Sequence, residues 1–271
     1  MKDLKDNTTI KQNIITIDAA GLHYRELNEK VKFAVSECNT GKCPHIIINN
    51  VLGQRYIGDG IKGEALITVN GTPGNDMAAF MDGPQIEVFG NGQDGIGNTM
   101  NSGRIIIHGD CGDILGYSMR GGEIYVKGSV GWRSGIHIKS YLDKFPVIVI
   151  GGKAGAFLGE YMAGGIIILL GLDMENGTPF NNSSTIAGNY VGTGMHGGTI
   201  FLRGDIEEYN LGKEVARLPL DDNDTKLLKT YISNYCNYFN FDKSKIIGQD
   251  FKGFLKLAPF SHRPYGKLYS Y

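Results

Sequence analysis

Two aspartates, Asp94 and Asp113, each stand four residues after a glycine, Gly90 and Gly109. If each sits in a turn on one of two adjacent coils, their carboxylates stack. Such a pair could hold a cation or act as an acid/base couple on a carbohydrate. Asp76, Asp82, Asp110 and Asp173 occupy comparable turns. The competing reading is a solvated turn, because aspartate favours turns for its own bonds to nearby backbone. The single tryptophan, Trp132, argues against a sugar-binding platform.

The other reactive residue types are scattered. His23, His45, His108, His137, His196 and His262 form no pair at metal-ligand spacing. His196, within Thr193-Gly-Met-His-Gly-Gly198, is the most site-like. A corner histidine satisfied by backbone is the simpler reading. Cys111 lies in a turn without a histidine close in sequence, so a catalytic thiol there has no support. No serine sits in a Gly-x-Ser-x-Gly elbow. Gly90-Asn-Gly92, Gly95-Ile-Gly97 and Gly192-Thr-Gly194 look like pieces of a phosphate loop. None opens onto an amphipathic helix, so they read as structural corners. On these grounds no catalytic, cofactor-binding or metal residue is assigned.

The elements that would position these residues form a repeat. Gly71, Gly90, Gly109, Gly128, Gly152, Gly171 and Gly204 each close a short apolar strand, at spacings of 19, 19, 19, 24, 19 and 33. Four residues before each glycine is an isoleucine: Ile67, Ile86, Ile105, Ile124, Ile148, Ile167 and Ile200. Two before it is Val, Ile or Leu. Six residues after come Met77, Ile96, Leu115, Ser134 and Leu158, and ten after come Met81, Met100, Met119, Ile138 and Met162. Seven after stands a small residue: Ala78, Gly97, Gly116, Gly135 or Gly159. A unit this short fits one coil of a solenoid, not a helical pair or a propeller blade. The Ile-x-Val alternation buries one face of each strand, and the methionines read as core. A left-handed hexapeptide solenoid would need a strict period of about 18. The period here is 19 with tolerated insertions, which predicts an all-β fold: a single-stranded right-handed parallel β-helix of about seven coils, with flanking helices at both ends.

Composition sets bounds. The 271 residues are 41% hydrophobic, enough for one elongated domain. The 40 glycines are about twice the usual share, as corners require. A net charge of −1 gives no field that would draw nucleic acid or an anionic membrane. The longest apolar run, near 166–170, is too short to span a bilayer. The charged start, Met1-Lys-Asp-Leu-Lys-Asp6, has no signal-peptide apolar region. Cys38, Cys43, Cys111 and Cys236 lack a Cys-x-x-Cys spacing, which points to reduced thiols in the cytoplasm.

The flanks divide the chain into a cap region (1–60), the repeat domain (61–207) and a C-terminal part (208–271). Tyr24, Leu27, Val31, Ala34 and Val35 share one side of a helix over about 22–37, with Asp18 as a candidate cap. His45-Ile-Ile-Ile48 reads as a strand, a degenerate first coil. Asp221-Asp-Asn-Asp224 starts an acidic helix whose apolar face runs from Leu227 to Phe239. Open solenoid ends expose backbone groups, and covering them is the expected task of the two helices. The aromatic, proline-interrupted stretch from Leu257 to Tyr269 can be ordered only against something else.

Several segments carry a family resemblance: Gly90-Asn-Gly-Gln-Asp-Gly-Ile-Gly-Asn-Thr-Met100, Gly112-Asp-Ile-Leu-Gly-Tyr-Ser-Met-Arg-Gly-Gly122 and Phe157-Leu-Gly-Glu-Tyr-Met-Ala-Gly-Gly165. His23-Tyr-Arg-Glu-Leu27, Gly53-Gln-Arg-Tyr-Ile-Gly58, Gly194-Met-His-Gly-Gly198 and Arg263-Pro-Tyr-Gly266 add to them. Together, over about 18–270, they resemble the C-terminal GXGXG-repeat domain of the glutamate synthase large subunit. One of the subunits of formylmethanofuran dehydrogenase shares the repeat type more distantly. The resemblance implies a right-handed β-helix that acts as a scaffold. It places glutamine amidotransfer, FMN and iron–sulfur clusters in partner subunits, with no cofactor on this chain. The sequence has no N-terminal cysteine nucleophile, no iron–sulfur cysteine cluster and no room for a flavin barrel. The expectation is a non-catalytic, cytoplasmic subunit of a split glutamate synthase, with the amidotransferase and synthase subunits as partners. The insertions at 139–145 and 172–187 and the tail 257–271 are the candidate docking surfaces. A scaffold of another redox complex, similar to formylmethanofuran dehydrogenase, and a carbohydrate-active β-helix enzyme are the alternatives.

Overall fold

A computed structural model of the chain describes residues 7–11, 14–37, 45–175, 177–178 and 185–260. It opens with strands β1 (Thr8–Lys11) and β2 (Ile14–Asp18), helix α1 (Tyr24–Glu37) and strand β3 (His45–Leu52). The repeat supplies β4 (Leu66–Thr72), β5 (Asp82–Phe89), β6 (Ser102–Ile107), β7 (Gly122–Val126), β8 (Pro146–Ile150), β9 (Ala163–Leu169) and β10 (Gly197–Arg203). After a short 3-10 turn at Glu208–Asn210 come β11 (Val215–Leu218), α2 (Asp222–Phe239), α3 (Lys243–Ile247) and β12 (Phe254–Pro259). All strands join one sheet in the order β1 to β10, then β12 and β11.

The fold is a parallel β-solenoid. Every pairing from β2 to β10 is parallel. Register follows the sequence repeat: Ile67, Ile86, Ile105, Ile124, Ile148, Ile167 and Ile200 are successive partners. Each is no more than 1% exposed. The column is therefore a continuous stack of isoleucines, each contributing about 1.5–3 kcal/mol of burial. A slip of one residue would turn the whole stack outward. The seven strands β4–β10 are joined by six turns, one fewer than the coils expected from sequence. The parallel sheet begins two strands before the repeat: β3 is the degenerate first coil expected at His45–Ile48, and β2 precedes it.

Each coil reverses at a corner where three alternate residues have positive φ. Examples are Gly95, Gly97 and Thr99, at 71°, 72° and 54°, and Ile114, Gly116 and Ser118, at 52°, 67° and 52°. The middle position faces inward and must be small. A Cβ on Gly116 would lie 2.6 Å from the Ile148 Cδ1. The inward residues on either side of it, such as Leu115 and Met119, are fully buried. Ser134 takes one such place and donates its hydroxyl to the Gly131 carbonyl at 3.3 Å.

The two longer helices do different things. Leu27, Val31 and Ala34 of α1 join Ile15 and Ile17 in the solenoid core, so α1 covers the first coil as expected. Helix α2 does not cap the other end. It lies on the outer face of the sheet, where Leu228, Ile232, Tyr235, Cys236 and Phe239 pack with Ile106, Tyr125, Val147, Val149, Ile166, Ile168 and Phe201. These strand residues point away from the solenoid core, and burying them outweighs covering the open end. At that end, β12 pairs antiparallel with β10, and β11 with β12. Asp18 also differs from expectation. It ends β2, and its carboxylate accepts from the Ala20 N–H and the Asn50 amide, so it closes a turn instead of capping α1. The acidic start of α2 is as expected: Asp221 and Asp224 form a reciprocal capping box. No helix among the described residues is long and apolar enough to cross a membrane.

Candidate functional site

The turn aspartates do stack on adjacent coils, and each carboxylate is already engaged. The Asp113 N–H donates to the Asp94 Oδ1 at 2.9 Å, and the Trp132 N–H donates to the Asp113 Oδ1 at 2.7 Å. A second ladder runs beside it. There the Asp110 N–H donates to the Asn91 Oδ1 at 2.9 Å, the Ser129 N–H to the Asp110 Oδ1 at 2.6 Å and the Lys153 N–H to the Ser129 Oγ at 3.0 Å. Asparagine, aspartate and serine thus fill one role, accepting a hydrogen bond from the next coil. Carboxylate chemistry is not what that column selects. Asp76 accepts from the Asn98 amide at 3.1 Å. Asp82 accepts from the Ser102 hydroxyl at 2.6 Å and the Lys144 ammonium at 3.0 Å, and these bonds, Ser102 foremost, hold its carboxyl below the usual range. Among the described residues, no three His, Cys, Asp or Glu side chains gather as a metal set.

The glycine-rich segments offer no phosphate cradle, because their N–H groups are spent between coils. Gly92, Gly95 and Gly97 donate to the carbonyls of Asp110, Asp113 and Met77. Gly192 donates to the Leu158 carbonyl, and Gly194 to the Glu214 Oε2 at 3.0 Å. The His196 Nδ1 lies 3.4 Å from the Gly194 carbonyl, and among the described residues it belongs to no cluster of three His, Cys, Asp or Glu side chains. Cys111 is buried in the solenoid core, and burial pushes its thiol well above the usual range, which denies it thiolate character. Cys236, on the buried face of α2, is pushed up to about 11 for the same reason. Cys38, Cys43 and His262 lie outside the described residues.

The candidate docking insertions are partly tied down. In 139–145, Tyr141 and Lys144 bridge each other, and Lys144 reaches back to Asp82. Leu142 at its tip is 84% exposed. Of 172–187, Leu172 packs under α2, while Ile186 and Ala187 enter the solenoid core. Residues 176 and 179–184, and the tail beyond Phe260, lie outside the described residues.

Two groupings went unnoticed in the sequence. On the outer face, the Arg104 Nε meets the Glu123 Oε2 at 3.0 Å, and Glu123 also accepts from the Tyr125 hydroxyl at 2.9 Å. A cleft of about 440 Å³ opens there, floored by Gly83, Gly103 and Gly122 and walled by Phe145 and Tyr231. Nearby, the His108 Nε2 pairs with the Glu87 Oε1 at 2.8 Å, its ring lying between Phe89 and Phe239. Arg104 and Glu123 are one repeat apart, so the period of 19 already held that pair. The second grouping is an aromatic row along the corner. Tyr190 stacks on Phe157 at 5.0 Å, and the Arg133 guanidinium lies 4.7 Å above the Phe157 ring. Tyr161 stacks on His137 at 5.2 Å, and Tyr117 meets His137 edge-on at 6.0 Å.

A parallel β-solenoid whose corners repeat positive-φ residues at alternate positions is a structural class in its own right, and a Gly-x-Gly-x-Gly pattern is its natural sequence. This chain belongs to the GXGXG motif family, whose model matches residues 19–259. It is 51% identical over 260 residues to the uncharacterized protein MJ1350 of Methanocaldococcus jannaschii, covering 94% of this chain and 96% of that one.

Proposed function

We propose that this protein is a scaffold subunit of a split glutamate synthase, bracing the glutaminase and synthase subunits so that ammonia passes between them. The match to the GXGXG motif family over residues 19–259 carries this reading, together with the resemblance of its repeats to the glutamate synthase C-terminal domain. The geometry is consistent with it. The corner carboxylates and glycine N–H groups hold coil to coil, leaving a rigid body whose faces and insertions are available for docking. On this reading the chain works in the cytoplasm and binds no cofactor itself, and FMN and iron–sulfur clusters reside in its partners.

The test is purification of the tagged protein from its own cells, with an assay of the eluate for glutamate formation dependent on glutamine and 2-oxoglutarate. Co-purifying amidotransferase and flavoprotein chains with that activity support the proposal. Recovery with subunits of a different redox complex, or as a lone chain at native expression, overturns it.

A further inference from the structure

The cleft on the outer face lies where the sheet changes character. Gln85, Arg104 and Glu123 are successive register partners on β5, β6 and β7. The same row continues through Val147 and Ile166, which belong to the apolar layer that α2 covers. The polar part of the row is not simply left to solvent. Tyr231 of α2 and Phe145 of the 139–145 insertion wall it, and about 440 Å³ remains open, a volume in the range of small-molecule sites. The Lys144–Asp82 ion pair, at 3.0 Å, ties the insertion that carries Phe145 back to the sheet. The floor is bare for a reason of packing: a Cβ on Gly83 would meet the Gly63 carbonyl of the preceding coil, and one on Gly103 the Pro84 carbonyl.

The polar groups in the cleft are only half used. The Glu123 Oε2 accepts from both the Arg104 Nε and the Tyr125 hydroxyl. That leaves the Glu123 Oε1 and both Nη groups of Arg104. Among the described residues, these atoms, the Gln85 amide and the Tyr231 hydroxyl take part in no hydrogen bond. The pair is partly withdrawn from water, with the Arg104 and Glu123 side chains 34% and 24% exposed. The Arg104 guanidinium is also held 5.7 Å from the Tyr238 ring, which limits its freedom to turn away. Burial, and then the Glu123 carboxylate, raise the Tyr231 hydroxyl above its usual range, so it stays a donor.

The charge pattern selects the ligand. Arg104 and Glu123 are the charged residues that line the cleft, and they cancel. A simple anion drawn to Arg104 would be repelled by Glu123, and a simple cation would meet the reverse. A molecule that carries both charges side by side satisfies both. In an α-amino acid the carboxylate and the ammonium stand on one carbon, which suits two side chains in direct contact at 3.0 Å. The free Nη groups of Arg104 can take the carboxylate in a fork, and the Glu123 Oε1 can accept from the ammonium. The Gln85 amide and the Tyr231 hydroxyl then remain for a polar side chain.

We propose that this cleft binds a free α-amino acid with a polar side chain, its carboxylate on Arg104 and its ammonium on Glu123. This goes beyond the scaffold reading and does not depend on it, since the binding needs no partner chain. The full-length protein is titrated calorimetrically with each proteinogenic L-amino acid. At least one polar member is expected to bind with a Kd of about 1 mM or tighter. Its N-acetyl and carboxamide derivatives, each lacking one charge, are expected to bind at least about tenfold more weakly. Arg104→Lys keeps the charge and loses the fork, and Glu123→Gln keeps an acceptor for Tyr125 and loses the charge. Each variant, verified as folded by circular dichroism, is expected to weaken binding about tenfold. No binding by any amino acid overturns the proposal. A derivative that binds as tightly as the free amino acid also overturns it, because the site then reads a single charge. So does unchanged affinity in both variants, because the ligand then sits elsewhere. The derivatives are tested on the unaltered chain, so that result stands whether or not a variant folds.

Discussion

At the residue scale, the corner positions define what this protein can tolerate. Gly116 has φ of 67°, and a Cβ added to it would lie 2.6 Å from the Ile148 Cδ1. Gly116→Ala therefore adds backbone strain of about 1–2 kcal/mol and overpacking of about 1–3 kcal/mol. Urea denaturation should show a loss of about 2–4 kcal/mol, and Ile148→Val in the same chain should restore part of it by removing the clashing methyl. Asp94 makes the opposite case. Asp94→Asn keeps the oxygen that accepts from the Asp113 N–H, as Asn91 does in the parallel ladder. It should leave stability within about 0.5 kcal/mol, whereas Asp94→Ala should cost about 1 kcal/mol. If Asn proves as damaging as Ala, the carboxylate has a task beyond its hydrogen bond.

At the element scale, the attachment of α2 is the informative contact. The Tyr235 hydroxyl donates to the Lys127 carbonyl at 2.8 Å and passes directly over Gly151, where a Cβ would collide with it. Tyr235→Phe should cost about 1–1.5 kcal/mol by loss of this buried bond, and Gly151→Ala should cost more, since helix or strand must move. The start of α2 carries an acid-sensitive cap. The backbone N–H of Asp224, more than any other contact, holds the Asp221 carboxyl below its usual range. A depressed folded-state pKa means that the stabilisation is present at neutral pH and is lost as pH falls below about 3.9, the unfolded value. Asp221→Asn keeps a capping acceptor that does not titrate, so its melting temperature should fall less steeply between pH 5 and 2 (approximate limits set by that pKa) than that of the parent chain.

For the whole molecule, two nearly separate cores predict an order of unfolding. Cys111 sits in the solenoid core, and Cys236, on α2, in the layer between that helix and the sheet. A solenoid is held by neighbour-to-neighbour contacts along its length, while α2 is attached on one face only. In a chain with Cys38 and Cys43 replaced by serine, a thiol reagent should label Cys236 at lower urea than Cys111. Simultaneous labelling would mean that α2 and the coils unfold as one unit.

Much of this architecture was legible in the sequence because a solenoid is a local code. The 19-residue recurrence of isoleucine, glycine and methionine fixes strand spacing, register and inward face together, as the ladder from Ile67 to Ile200 shows. The stacking of Asp94 under Asp113 was also readable, since residues one period apart must meet. The purpose of that stacking was not readable, because the acceptor role appears only once the N–H of the next coil is in place. The placement of α2 needed tertiary structure. Its apolar stripe says that it must bury a face but not which surface receives it, although the unbroken apolar runs at 147–150 and 166–170 marked strands covered on both sides. The sequence by itself determined the coil, because each coil's contacts recur at one fixed separation along the chain. The tertiary structure alone decided what lies on the outside of the sheet, where α2 is seated. Its contacts join residues more than a hundred positions apart, as between Lys127 and Tyr235, with no periodicity to announce them.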